Sequence, residues 1–257
     1  MDTLFANSPD NVRIAYDRRG TGPAIMLIHG GGSNRQCWHD VGYVSRLQKD
    51  FTVITPDLRG HGESDLPIDP TDYTIDKMGQ DLLSVADACG VEGFVIWGFS
   101  YGGKIGRYLA TQTERVSKLT LMSTPLGRSV PDELRKEIEG FCDRWSPILR
   151  AKNDGTLNLD SLSQDDQEFL HNFNIPVMMA WGRAMIEWPI IEPADFLCPV
   201  LWLAGAEDQP VMDSVMKYKQ SLMGSKVQLH VIEGSNHEQV FEGIDEVFAS
   251  ILAFTQS

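Results

Sequence analysis

The sequence of 257 residues has few cysteines, a shortage of basic residues and no long apolar run. Its four cysteines are scattered without a C-x-x-C pair, which is typical of free thiols in a reducing compartment. Lys and Arg number 22 against 36 Asp and Glu, and the resulting charge of -14 disfavours nucleic acid and anionic membranes as partners. No stretch reaches membrane-spanning length, and the amino terminus has no basic flank followed by an apolar stretch. We therefore expect a cytoplasmic protein without export or membrane anchoring.

The chain does contain a regular alternation of short β-rich runs and helical patterns. The predicted strands are 24–29, 51–55, 93–97, 119–123, 200–204 and 227–232, with an antiparallel entry strand over 12–16. The predicted helices are 38–47, 75–89, 104–111, 211–223 and 239–254. Such alternation predicts an α/β protein with a mostly parallel sheet that is covered by helices on both faces.

This alternation stops between positions 127 and 199, where helical stripes occur without a convincing strand. A connection of about seventy residues is too long for an ordinary loop, so we predict an inserted helical cap over 128–196. The core then comprises 1–127 and 197–257. Within the cap, Pro131 followed by two acidic residues predicts a helix start, and an apolar stripe runs from Leu134 to Trp145.

Residues 98–102 read G-F-S-Y-G, directly after an apolar run and directly before a helical pattern. A G-x-S-x-G pattern in this context is typical of a sharp strand-to-helix turn that exposes a nucleophilic serine. Small residues are needed beside the serine because the strained turn leaves no room for Cβ atoms, and Gly98 and Gly102 meet that need. Ser100 is therefore the candidate nucleophile.

A serine hydroxyl needs a base to accept its proton and an acid to orient that base. Asp208 follows the predicted strand 200–204, and His237 follows the next one. The carboxyl ends of parallel strands share one edge of a sheet, so Ser100, Asp208 and His237 are expected to converge there. Taken alone, each of them has a plainer interpretation as a turn, cap or loop residue, and Glu207 is the alternative acid.

The order Ser, Asp, His together with the turn resembles the α/β-hydrolase family over about residues 11–254. Residues 28–32 read I-H-G-G-G, similar to that family's H-G-x-x motif, and residues 57–64 read D-L-R-G-H-G-E-S, similar to its D-x-R-G-H-G-x-S loop. The resemblance implies an eight-stranded sheet. It also implies structural roles for His29 and His61.

The resemblance further implies an oxyanion hole made of two backbone N–H groups. One is the amide of Tyr101, and the other belongs to the glycine-rich turn, where we choose Gly31 over Gly32. Position 241 is Phe, so His237 and Glu238 do not begin an H-E-x-x-H zinc motif. No other grouping has metal-ligand spacing, and no phosphate-binding Lys follows the glycines, so we expect no cofactor.

Apolar residues of the cap predict a largely apolar substrate pocket. The candidate pocket residues are Trp145, Met178, Trp181 and Met185, although each could equally pack the cap onto the core. A serine nucleophile speaks against the haloalkane dehalogenases and soluble epoxide hydrolases of this fold, which use aspartate. The predicted function is hydrolysis of a small ester or lactone by a monomer or homodimer.

Two alternatives stay open at this point. One is a carbon–carbon bond hydrolase of the meta-cleavage-product type, in which Arg183 could meet a substrate carboxylate. Glu238 stands where those relatives often carry Trp, which weakens that interpretation. The other is a ligand receptor with slow turnover. Catalytic turnover would distinguish an enzyme from a receptor.

Overall fold

An eight-stranded sheet forms the centre of the computed structural model, which describes residues 3–257. The first two residues of the predicted core segment 1–127 lie outside the described residues. The strands are β1 Leu4–Asn7, β2 Arg13–Arg19, β3 Ala24–Ile28, β4 Thr52–Pro56, β5 Phe94–Phe99, β6 Val116–Met122, β7 Val200–Gly205 and β8 Val227–Ile232. Their spatial order is β1-β2-β4-β3-β5-β6-β7-β8, and β2 pairs antiparallel with both β1 and β4. All other pairs are parallel, which confirms the predicted α/β fold.

Ten α-helices accompany the sheet in the described residues. They are α1 Gln36–Asp40, α2 Tyr43–Leu47, α3 Ile75–Ala88, α4 Ser100–Gln112, α5 Asp132–Asn153, α6 Gln164–Asn172, α7 Ile175–Ile186, α8 Gln209–Tyr218, α9 Gln239–Glu242 and α10 Ile244–Gln256. Short 3-10 turns occur at Pro70–Tyr73, Leu159–Ser161 and Pro193–Asp195. No helix among these residues is both long and apolar enough to cross a membrane.

Alternate residues of the central strands face two different helical layers. On β3, Met26 and Ile28 pack in a core cluster with α3, α4 and α8, whereas Ile25 and Leu27 pack with α1, α2, α9 and α10. Successive side chains of a strand point to opposite faces, so a strand buried on both sides must be apolar throughout. The continuous apolar runs of the sequence therefore correspond to strands that are covered on both faces.

Two predicted helices are each divided in the structure. The predicted helix 38–47 is α1 and α2, which are separated at Gly42 with φ of 96°. The predicted helix 239–254 is α9 and α10, which are separated at Gly243. The positive φ at Gly42 favours glycine, and a Cβ on Gly243 would lie 2.7 Å from the carbonyl oxygen of Gln239, so apolar periodicity continued across a real break in each case. The short edge strand β1 was not predicted.

The segment 128–196, which we call the helical insert, contains α5, α6 and α7. These helices share a small core of their own, formed by Cys142, Trp145, Leu170, Ile175 and Met179. Leu134 of α5 instead packs against the core cluster that includes α3 and α4, and Ile138 packs against both clusters. The insert thus contains three helices, and the beginning of α5 contacts the rest of the protein.

A buried ion-pair network holds the loop that follows β4. Arg59 is fully buried and donates two hydrogen bonds of 2.6 Å to Asp81 on α3, and it also contacts Asp10. Asp57 accepts the backbone N–H of Glu63 at 2.8 Å and so closes the loop on itself. Buried charges are tolerated when they are paired in this way. The loop is consequently fixed beside the glycine-rich turn that follows β3.

Candidate active site

Ser100 lies at the point where β5 ends and α4 begins, with φ of 50°. A left-handed conformation is costly for a residue other than glycine and is typical of a nucleophile turn. A Cβ on Gly98 would lie 2.7 Å from Gly103 Cα, and one on Gly102 would overlap the carbonyl oxygen of Ile28. The two glycines predicted to flank the serine are therefore required by the close packing of the turn.

Three side chains from the ends of three strands meet at this turn. His237 Nε2 is 3.0 Å from Ser100 Oγ, and His237 Nδ1 is 2.7 Å from Asp208 Oδ2. Asp208 follows β7 with a side chain only 2% exposed, whereas the side chain of His237 is 39% exposed. A buried carboxylate that accepts from Nδ1 keeps Nε2 free to accept the serine proton. The arrangement has the hydrogen-bond order of a nucleophile, a base and an orienting acid.

The alternative acid, Glu207, is exposed and does not contact His237. Its backbone N–H donates a 3.0 Å hydrogen bond to the carbonyl oxygen of Ser235. The geometry therefore favours Asp208 over Glu207 as the partner of His237.

Ser123 is a further residue of the site that the sequence pattern did not reveal. It follows β6, is fully buried, and has φ of 45°. Its hydroxyl donates a 3.0 Å hydrogen bond to the carbonyl oxygen of His237 and so fixes the loop that carries the imidazole. A strained backbone that is held by its surroundings is common near functional sites. A lone serine at the end of a strand has no sequence motif that would have identified it.

The glycine-rich turn after β3 distinguishes between the two candidate oxyanion donors. The backbone N–H of Gly32 donates to His61 Nε2 at 3.2 Å and is already in use. The N–H of Gly31 has no acceptor among the described residues, and a Cβ on Gly31 would lie 3.5 Å from Tyr101 Cβ. Tyr101 is in the first turn of α4, where amides lack an intrahelical acceptor. The geometry agrees with the choice of Gly31 and Tyr101, whose role stays a prediction.

His29 and His61 form hydrogen bonds to the backbone of loops and not to Ser100, Asp208 or His237. The Nε2 atom of His29 accepts the backbone N–H of Leu58 at 3.0 Å, and that of His61 accepts the N–H of Gly32. Both imidazoles must be neutral to accept at Nε2. Burial lowers the pKa of His29 to about 3, aided by the nearby His61, and burial also lowers the pKa of His61.

These two lowered pKa values predict that stability decreases in mild acid. Below the ordinary histidine pKa of about 6.5, the unfolded chain takes up protons that the folded chain does not, so the free energy of unfolding falls. Between about pH 7 and pH 5.5 we expect His29 to account for a loss of about 1 kcal/mol. Urea unfolding at the two pH values measures this difference. His61→Gln should flatten the dependence, whereas the exposed His171→Gln should not, and equal stability at both pH values would contradict the assignment.

Ser100, Asp208 and His237 open into a cavity of about 950 Å³. Its walls come from α4, from the chain after β6, from the beginning of α5 and from α8. Leu134 and Val211 are among its apolar lining residues, and Lys104 lies in the wall one helical turn after Ser100. The pocket therefore combines apolar surface with one buried cation. Lys104 lies in the predicted helix 104–111, and no sequence motif indicates a catalytic or binding role for it.

Within residues 3–257, none of the four predicted pocket residues lines this cavity. Trp145 is buried in the core of the insert, where its ring stacks on Phe169. Met185 is buried against the main core, and its sulfur accepts from Lys104 Nζ at 3.6 Å. The Trp181 ring packs beside Tyr101, with centroids 5.2 Å apart, and Met178 is half-buried on the same helix.

The structure also shows where Arg183 and the four cysteines lie. Arg183, the candidate for a substrate carboxylate, is exposed on α7 and does not line the cavity. The four cysteines are free. Within residues 3–257, no group of three or more His, Cys, Asp or Glu side chains is arranged to hold a metal ion.

A match to a family model decides to which family the chain belongs. A family model described as the alpha/beta hydrolase fold matches residues 23–244, which is most of the chain. The chain belongs to the alpha/beta hydrolase family. An esterase from Exiguobacterium antarcticum has the same fold, with a TM-score of 0.77 at 19% identity over 100% of both chains.

Several curated relatives of this alpha/beta hydrolase match it over about half of its length. One is an uncharacterized protein of Mycobacterium bovis, 41% identical over 125 residues, which are 47% of this chain and 35% of that protein. Another is 3-oxoadipate enol-lactonase 2 of Acinetobacter baylyi, 31% identical over 126 residues, which are 48% of this chain and 45% of the relative. The chain thus spans about a third of the length of the first relative and under half of the second.

Proposed function

We propose that the protein is a serine hydrolase that cleaves the ester or lactone bond of a small molecule. The observation that carries the proposal is the pair of hydrogen bonds at His237, 3.0 Å to Ser100 Oγ and 2.7 Å to Asp208 Oδ2. A base within hydrogen-bond distance of a hydroxyl, oriented by a buried acid, is the arrangement that makes serine nucleophilic.

The reaction has two halves in this proposal. His237 Nε2 takes the proton of Ser100 as Oγ attacks the carbonyl carbon, and the imidazolium then gives that proton to the departing alcohol oxygen. Water attacks the resulting acyl-enzyme, with His237 again accepting a proton, and the carboxylic acid leaves as Ser100 is restored. In a lactone, the departing alcohol stays attached to the acyl group.

Two further elements support the same chemistry. The backbone N–H groups of Gly31 and Tyr101 would stabilise the negative charge on the carbonyl oxygen, and each such donor is worth about 2.7 to 4 kcal/mol by donor deletion in other enzymes. The helical insert would act as a cap over the pocket, because Pro131 and Leu134 at its beginning line the cavity that contains Ser100. The esterase and the enol-lactonase among the similar proteins are consistent with this substrate class.

Steady-state hydrolysis of p-nitrophenyl acetate, butyrate and octanoate, together with simple lactones, tests the proposal. We expect turnover of roughly 1 to 1000 per second on the best substrate, and a rate profile that reflects the size of the pocket. Turnover on a vinylogous diketone of the meta-cleavage type, with inert esters, would replace the proposal by carbon–carbon hydrolysis. Tight binding of a ligand with far slower release of product would instead identify a receptor.

A further inference from the structure

Lys104 is a buried cation in the wall of the cavity that contains Ser100. It lies on α4 four residues after Ser100, and residues with this spacing share one face of a helix. Lys104 is only 9% exposed, and it lines the same cavity as Ser100 and His237. Helical side chains lean toward the amino-terminal end of their helix, which is the end that carries Ser100. Lys104 and the proposed nucleophile thus line one cavity from the same helix.

The ammonium group of Lys104 has only one hydrogen-bond partner among the described residues, and it is a weak one. Its one hydrogen bond in the described part of the chain is to the sulfur of Met185 at 3.6 Å, and a thioether is a weak acceptor. No carboxylate of those residues lies within salt-bridge distance of Nζ. An ammonium has three donors, so two of them are unused.

The surroundings add a second buried cation and no counterion. Arg107 is fully buried on the next turn of α4, donates to the carbonyl oxygen of Pro125 and to Ser129 Oγ, and has no carboxylate partner in the region described. Burial, together with Arg107, lowers the pKa of Lys104 to about 7. Burying an unpaired charge is costly, whereas an anion that enters the cavity would supply the missing partner.

Four acidic residues besides Asp208 also line the cavity, but they are exposed. They are Asp132, Glu133 and Glu137 on α5 and Asp213 on α8, all of which are exposed. Exposed charges are weakened by water and salt, and Arg128 already pairs with Asp132 at 3.0 Å. Lys217 is a second exposed cation of the lining. The charges that meet a bound molecule in the interior are therefore Lys104 and the pair of His237 with Asp208.

We propose that Lys104 binds a carboxylate carried by the substrate, so that the preferred substrates are esters or lactones that also bear a free acid group. The inference rests on the proposed ester or lactone hydrolysis at Ser100 and specifies its substrate class. The carboxylate would replace the weak contact to Met185 with charge-assisted hydrogen bonds. The acyl carbonyl would remain at Ser100, one helical turn away.

This role has a definite pH dependence. Lys104 is charged below its pKa and neutral above it, so binding of a carboxylate should weaken as the pH rises past about 7. A neutral ester gains nothing from the charge and should show no such weakening. Arg107 keeps its charge over this range because its pKa is lowered only to about 10. Changes that come from His237 affect both kinds of substrate, so the difference between the substrates isolates Lys104.

The test compares monoethyl adipate with ethyl heptanoate, a neutral ester of nearly the same length, by the initial rate of ethanol release. Lys104→Met should lower kcat/KM for monoethyl adipate by about tenfold or more, which is about 1.4 kcal/mol or more. It should leave ethyl heptanoate within about twofold, and Lys104→Arg should retain most of the preference for the acid. Equal losses on both esters, or no loss on either, would overturn the proposal.

Two measurements keep the test decisive if a variant does not fold or if no ester is turned over. In the wild type, KM for monoethyl adipate should rise between about pH 6 and pH 9 while KM for ethyl heptanoate stays flat, and two flat profiles would refute the role. Calorimetric binding of adipate to Ser100→Ala, with and without Lys104→Met, tests Lys104 without catalysis. Binding that depends on Lys104, together with a wild type that turns over no ester, would support the cation site and reject ester hydrolysis, whereas binding that ignores Lys104 would reject the site.

Discussion

Substitution of Ser100 by alanine is expected to lower kcat for ester hydrolysis by roughly a million-fold. The physical reason is that the substitution removes the atom that forms the acyl-enzyme, and with it the use that the reaction makes of His237 and Asp208. Groups that act as one unit lose their effect together, so removal of the nucleophile alone is expected to cost about as much as removal of all three groups. The measurement is kcat on the best p-nitrophenyl ester, with enzyme concentrations high enough to detect the residual rate.

The matched control for this substitution is Ser45→Ala, an exposed serine on α2 whose hydroxyl bonds only to the carbonyl oxygen of Gly42. It should retain wild-type kcat. Thermal unfolding of Ser100→Ala should remain cooperative, because the substitution removes one oxygen and leaves the glycine packing around the turn unchanged. A folded Ser100→Ala protein that keeps a tenth of the activity would mean that another residue is the nucleophile.

Asp208→Asn is expected to lower kcat by on the order of ten-thousandfold, while Glu207→Gln should leave kcat within about twofold. The amide can donate a hydrogen bond to Nδ1, which favours the imidazole tautomer whose Nε2 carries a proton and cannot accept one from Ser100. The two acids are adjacent in sequence but differ in burial, since Asp208 is 3% exposed and Glu207 is exposed. Comparison of the two variants therefore shows whether activity requires an acid in contact with His237 or only a negative charge after β7.

Kinetic constants of both variants over a range of pH provide the measurement. Because Asp208 acts through His237, its loss should reduce kcat much more than it raises KM. If Glu207→Gln is the damaging change and Asp208→Asn is active, the hydrogen bond of 2.7 Å to Asp208 is not the one that orients the base.

Much of the fold could be predicted because the central strands are buried on both faces. Continuous apolar runs such as 24–28 and 200–204 are what strands covered on both faces require, and β3 and β7 lie there. The breaks at Gly42 and Gly243 were missed because apolar periodicity continues across them. The edge strand β1 is four residues with one buried side chain, which leaves almost no periodic signal.

The positions of Ser100, Asp208 and His237 were predictable for a topological reason. Each follows a strand of a parallel sheet, and the carboxyl ends of such strands share an edge, so sequence positions far apart become neighbours. The pocket was not predictable in the same way. The apolar stripe of α5 divides between two environments, with Leu134 at the cavity and Trp145 in the interior of the insert. The hydropathy pattern indicates that a residue is buried, but it does not indicate which neighbouring residues cover it.

Covalent labelling with a fluorophosphonate, followed by peptide mass spectrometry, tests directly whether Ser100 is a nucleophile that His237 activates. Ser100 Oγ should displace fluoride from phosphorus and give one phosphonyl group per chain, located on Ser100, and His237→Ala should be labelled far more slowly. Labelling at a different residue, or no labelling of wild-type protein under conditions that modify a known serine esterase, would contradict the account of Ser100 as a nucleophile activated by His237.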